Sequence, residues 1–122
     1  KVSLATGGAA GILFRYDDIS REGLALTIDA TRQRVELLRV YKAEFGLTSC
    51  IEQYRPLAIT SDREYMIRVV ARDCFVDAYI DDQAMFSLSV ETNKLGNTGL
   101  YIENAKAHFG AVSIKPIAGI GL

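Results

Sequence analysis

Several stretches of the chain alternate apolar and polar residues with a period of two, the spacing that gives a β-strand one buried face. Leu24, Leu26 and Ile28 alternate with Ala25, Thr27 and Asp29, and Phe86, Leu88 and Val90 alternate with Ser87, Ser89 and Glu91. Tyr65, Ile67 and Val69 share a face opposite Met66, Arg68 and Val70, so that strand is largely apolar on both sides and is expected to run centrally. Val76, Ala78 and Ile80 alternate with Phe75, Asp77 and Tyr79, after which Asp81-Asp82 interrupts the pattern with turn formers and predicts a hairpin. A second hairpin is expected between residues 99–103 and 107–115, turning at Asn104-Ala105-Lys106, because asparagine enters the left-handed region at low cost. Glycines punctuate these strands irregularly and mark no internal repeat. The pattern predicts an all-β sandwich.

The segment from Asp29 to Gly46 reads two ways. Val35, Leu38, Tyr41 and Phe45 fall near a helical repeat, Asp29 or Thr31 suits the start of a helix, and Gly46 suits its end. The rival is a strand over residues 34–41, with Val35 and Leu37 on one face and Leu38 and Val40 displaced by a bulge or buried on the other.

At 122 residues the chain is long enough for one core and too short for two full-sized domains, so residues 1–122 are read as a single module. The 49% hydrophobic and 24% charged content is that of a chain that folds by burying apolar surface. Fourteen Lys and Arg are scattered among fifteen Asp and Glu, leaving no strip that would neutralise a run of phosphates, and nucleic acid is an unexpected partner. No apolar run approaches the roughly 20 residues of a membrane-spanning helix, and no membrane contact is expected. The start carries neither Met nor a signal-like pattern, which points to a mature product or a module cut from a longer protein.

Candidate chemistry is thin. Cys50 and Cys74 read as two buried thiols, with a disulfide between them as the alternative, and their spacing is not that of a metal or redox motif. His108 is the only histidine, and its place between Ala107 and Phe109 on a strand suits a solvated side chain better than a general base. No serine lies in a Gly-x-Ser-x-Gly elbow, and no zinc-ligand spacing is present. The paired carboxylates Asp17-Asp18, Asp73 with Asp77, and Asp81-Asp82 read as turn formers rather than a glycosidase pair, and Asp17-Asp18 lacks the spacing of a calcium loop. Gly7-Gly8 does not open a phosphate cradle, so neither cofactor nor metal is expected. What remains is a polar, aromatic face: Asp77 and Tyr79, joined by Arg15, Tyr16 or Tyr101 from other strands. Rings that stack on sugar faces and Asp or Arg that bond hydroxyls are what a shallow carbohydrate site requires. Tyrosines with rings in the core and hydroxyls at the rim are the competing reading.

The order of these strands resembles the C-terminal β-sandwich of family 32 glycoside hydrolases, the invertase, levanase and inulinase group. Tyr65-Met66-Ile67-Arg68-Val69-Val70-Ala71-Arg72-Asp73-Cys74-Phe75 leads into Val76-Asp77-Ala78-Tyr79-Ile80-Asp81-Asp82, matching that family's apolar strand, turn, and apolar, acidic, apolar, aromatic, apolar strand. Gly99-Leu100-Tyr101-Ile102-Glu103-Asn104 with Ala107-His108-Phe109 and Val112-Ser113-Ile114 is similar to its closing pair, and Gly11-Ile12-Leu13-Phe14-Arg15, Leu26-Thr27-Ile28-Asp29 and Arg34-Val35-Glu36-Leu37 to its early strands. The likeness spans residues 9–116. Cys74 and Phe75 depart from its small polar turn residues, and Asp82-Gln83 from its usual Asp-Gly.

This resemblance implies a two-sheet antiparallel sandwich of the jelly-roll, concanavalin A-like kind, with residues 34–41 as a strand. The family's catalytic carboxylates belong to an N-terminal propeller, in motifs such as Asn-Asp-Pro, Arg-Asp-Pro and Glu-Cys that are absent here. The implied role is therefore a non-catalytic module of a fructan- or sucrose-type enzyme, packing on the parent's propeller domain, with a glycan as a further contact. Asp77, Tyr79, Arg15 and Tyr101 are the residues expected to make either contact. An independent lectin-like or laminin G-type module is the alternative.

Overall fold

The computed structural model describes residues 1–4, 7–17, 19–43, 46–72, 74–89 and 97–113. Among the described residues ten strands follow one another: β1 (Val2–Leu4), β2 (Ala9–Asp17), β3 (Glu22–Asp29), β4 (Arg34–Ala43), β5 (Gly46–Pro56), β6 (Ile67–Arg72), β7 (Phe75–Ile80), β8 (Gln83–Ser89), β9 (Asn97–Glu103) and β10 (Ala107–Phe109). No helix occurs among the described residues. One antiparallel sheet runs β5-β4-β3-β2-β9. The opposing layer is the meander β6-β7-β8 beside the pair β1-β10, joined where Val2 and Tyr65 exchange backbone hydrogen bonds of 2.8 and 2.7 Å.

The alternation along each strand decides which face is buried. Leu26 and Ile28 of β3, Val35 and Leu37 of β4, and Ala10 and Phe14 of β2 point inward, against Val76, Ala78 and Ile80 of β7 and Phe86 of β8. Tyr65 anchors the second layer: its ring is buried, its hydroxyl accepts the Thr60 N–H at 2.7 Å, and the Arg63 guanidinium lies 4.4 Å from the ring centroid. The hairpin expected at Asp81-Asp82 forms, with Ile80 opposite Gln83 and both aspartates in the left-handed region at φ 51° and 64°.

The contested segment is strand β4, paired along its length with both β3 and β5. Asp29 does cap a chain end, but its Oδ1 accepts the Arg32 N–H at 2.9 Å within a tight turn closed by left-handed Gln33. The same hydrogen bond that would start a helix here starts a hairpin.

The strand expected to be central, β6, has β7 on one side and, through the Val2–Tyr65 bridge, β1 on the other. Two other expectations change. The second hairpin does not form, because β9 pairs with β2 and β10 with β1. Asn104 is left-handed, at φ 50°, but it turns the chain from one layer to the other. Finally, Cys50 is exposed on edge strand β5 and Cys74 half-buried in the β6–β7 turn, so both are free thiols and neither is a core residue.

Candidate functional site

The outward face of the five-stranded sheet carries, in register from β9 to β5, Tyr101, Gly11, Thr27, Glu36 and Tyr54. A Cβ at Gly11 would collide with the Leu26 carbonyl oxygen, so glycine is what lets β2 and β3 approach here. An outward face is ordinarily wet, yet Ala25, Thr27, Leu38 and Val40 are buried, and Ala25, Leu38 and Val40 form a second small core with Tyr101, with Leu13 packed against it. In β5 the extra residue Glu52 breaks the register opposite Leu37 and Leu38, and Arg39 of β4 holds its carboxylate at 2.9 Å. Bulges of this kind bend a strand and add twist. Beyond it, Thr48 and Ser49 come up against β9, on the opposite edge of the same sheet.

The two edge strands thus face each other across an open cleft of about 480 Å³, lined by Thr48, Ser49, Leu100, Tyr101, Ile102 and Glu103. Tyr101 is only 9% exposed and donates its hydroxyl to Glu103 Oε2 at 3.0 Å. Burial pushes the Tyr101 phenol above its ordinary value, the Ser49 hydroxyl opposes this, and the carboxylates of Glu103 and Glu36 reinforce it. Tyr101 is therefore a neutral donor at physiological pH. Leu100 and Ile102, each 51% exposed, contribute their backbone to the lining, since their side chains fall on the opposite face of edge strand β9, in register with Ile12 and Ala10.

Under the floor lies Glu36, 2% exposed. Its Oε2 accepts the Arg34 Nε–H at 2.8 Å and lies 2.7 Å from Arg34 Nη2, with Arg32 Nη1 at 3.5 Å. The Arg34 guanidinium also stacks 4.3 Å from the Tyr54 ring centroid. Desolvation raises the Glu36 carboxyl above its ordinary value of 4.5; Arg34 counters it, while a hydrogen bond and charge from Asp29 add to it.

Of the residues singled out in the sequence, only Tyr101 lines this cleft. Asp77 and Tyr79 sit together on the outward face of β7, on the far side of the sandwich. There Asp77 Oδ1 accepts the Ser87 hydroxyl at 2.7 Å, and the Arg68 guanidinium lies 4.0 Å from the Tyr79 ring centroid. Arg15 occupies the bulge of β2 with φ 53°, at one end of the five-stranded sheet. Sequence reading missed Glu103, which the period of two already placed on the face of Tyr101. It had no means of finding Thr48 and Ser49, which the curl of β5 delivers.

The described fold is an all-β, antiparallel sandwich of two layers about one shared core. No family model matches the chain, and no curated protein matches it. Among solved structures, the carbohydrate binding module CBM66 from Bacillus subtilis is similar, with a TM-score of 0.75 and 19% sequence identity over 87% of this chain. The chain spans 65% of the length of that module. At this identity the likeness establishes the sandwich fold.

Proposed function

We propose that this chain is a non-catalytic carbohydrate-binding module that holds a sugar in the cleft between β5 and β9. The cleft carries the reading. It sets the Tyr101 hydroxyl and the Glu103 carboxylate on one wall and the Thr48 and Ser49 hydroxyls on the other. A carboxylate accepts from sugar hydroxyls, and the phenol and alcohols donate and accept, which is the set of polar groups a small hydroxylated ligand needs. The fold shared with a solved carbohydrate-binding module supports the same reading. Following the family resemblance, the parent is a glycoside hydrolase acting on fructans, sucrose or related glycosides, on whose catalytic propeller the module packs.

Affinity gel electrophoresis and titration calorimetry of the chain against levan, inulin and sucrose test the site. Saturable binding is expected, weakened roughly tenfold in Glu103→Gln and in Tyr101→Phe, since each removes a hydrogen-bonding group worth about 1–2 kcal/mol. Affinity unchanged from the parent in both variants sinks the cleft. Release of sugar from sucrose, levan or an aryl glycoside by the chain alone sinks the non-catalytic reading, and a gene with no propeller-sized domain upstream of Lys1 favours the independent lectin-like module.

A further inference from the structure

The outward face of the β6-β7-β8 meander is built unlike the rest of the surface. Along β7 the outward residues are Phe75, Asp77 and Tyr79, an aromatic, an acid and an aromatic at alternate positions. Strand rise sets the two rings roughly 14 Å apart on one line. The neighbours across the register differ sharply in size. On β6 stand Arg72 opposite Phe75 and Arg68 opposite Tyr79; on β8 stand Ser89, Ser87 and Ala84, all small and all exposed. The result is a shelf along β8, floored by small residues and walled by the β7 side chains.

The wall is held in place. Arg68, against the Tyr79 ring at 4.0 Å, is drawn from the far side by Asp82 at 3.7 Å, and Ser87 fixes Asp77 at 2.7 Å. Phe75 is 60% exposed, an unusual state for a phenylalanine, with Val70, opposite Asp77 on β6, as an apolar residue on the same face. A protein interface is a poor match for this surface, since interface cores concentrate apolar side chains and shed charge. Here the apolar Met66, Val70 and Phe75 are interspersed with Arg68, Arg72, Asp77, Ser87 and Ser89, so charged and hydroxyl groups break up the apolar surface.

We propose that this shelf is a second glycan site, which takes an extended polysaccharide chain lying along β7 and β8. Phe75 and Tyr79 stack on the C–H faces of two sugar units, and Asp77, Ser87 and Ser89 bond hydroxyls of the unit between them. The shelf is open at both ends and so admits the interior of a chain, whereas the β5/β9 cleft holds a short sugar. The inference extends the carbohydrate-binding reading but uses none of the cleft residues. Binding at two sites on opposite faces would let one module crosslink or grip a polymer by avidity.

The test uses the full chain in affinity gels containing levan, inulin, xylan or mixed-linkage β-glucan, with calorimetry on sucrose in parallel. Phe75→Ala and Asp77→Asn are expected to lower retention on the retarding polysaccharide about five- to tenfold, the loss of one stacking or hydrogen-bonding contact, while circular dichroism stays that of the parent. Sucrose affinity is expected to be unchanged. Retention abolished by Glu103→Gln but untouched by both shelf variants overturns the shelf and leaves the cleft standing; the converse overturns the cleft alone. Retention on none of the four polymers overturns the shelf whatever the cleft does. So does protection of Phe75 by the parent's catalytic domain, seen as loss of polymer retention when the two are joined.

Discussion

Thr27 is completely buried on the outward face of β3, between Gly11 and Glu36, and its hydroxyl has no hydrogen-bond partner among the described residues. Threonine to valine keeps the β-branched shape and strand preference while replacing that hydroxyl with a methyl. Mutational data place the cost of burying an unpaired hydroxyl at about 1–3 kcal/mol. Allowing for adjustment around the new methyl, Thr27→Val is expected to stabilise the protein by about 1–2 kcal/mol. With an unfolding entropy near 2.1 cal/mol/K per residue over 122 residues, that is a rise of about 4–8 °C in Tm. Differential scanning calorimetry gives the shift directly, and urea titration should show a higher midpoint at unchanged slope. Most substitutions at fully buried positions lower stability, so the sign itself is the test. An unchanged or lower Tm would show that Oγ1 is bonded in solution and refute the reasoning.

Two further outcomes follow from groups near the same sheets. Because burial raises the Glu36 carboxyl, the unfolded chain ionises first as pH climbs past 4.5; stability from this residue is complete below that value and is lost as pH rises through the folded pKa. The difference in unfolding free energy between parent and Glu36→Gln, followed from pH 4 to 7, should therefore fall with rising pH, and a flat or rising difference contradicts it. At the β7–β8 turn, Asp81 is bonded to the Met66 N–H and to Arg63, but Asp82 holds φ 64° with only Arg68 at 3.7 Å in return. Asp82→Gly relieves the left-handed strain at the second turn position and should raise the urea midpoint by an amount equivalent to about 0.5–1 kcal/mol, while a lower midpoint would mean the exposed ion pair outweighs the strain.

What the sequence disclosed, and what it withheld, divides along the range of the interaction. The alternation of Val76, Ala78 and Ile80 with Phe75, Asp77 and Tyr79 names the buried and outward faces of β7 correctly, because facing depends only on the strand's own period. Asp81-Asp82 and Asn104 likewise announce left-handed turns, a property of single residues. Which strands those turns join is a different matter. Asn104 precedes a change of layer rather than a hairpin, and nothing local distinguishes the two. The buried outward face of β3 was equally hidden: Ala25 and Thr27 look like solvent-side residues until Leu38, Val40 and Tyr101 from neighbouring strands gather around Ala25. The cleft that sets Ser49 opposite Tyr101 comes from the bend of β5 at its bulge, and no spacing in the chain encodes it.

The join between Val2 and Tyr65 has a consequence for how the molecule comes apart. In the second layer, β6, β7 and β8 are neighbours in sequence linked by short turns, so they can zip from local contacts. The pair β1-β10 brings together the two ends of the described chain, meets the stretch leading into β6 through the Val2–Tyr65 bridge and the Asp62 N–H bond to the Leu4 carbonyl, and is only three residues deep. Opening it would free the amides of Ser3 and His108 to exchange with solvent deuterium while the meander stays closed, so the layer should behave as two cooperative blocks. Buried Leu4 and Val2 tie the smaller block to the core and set how rarely it lifts.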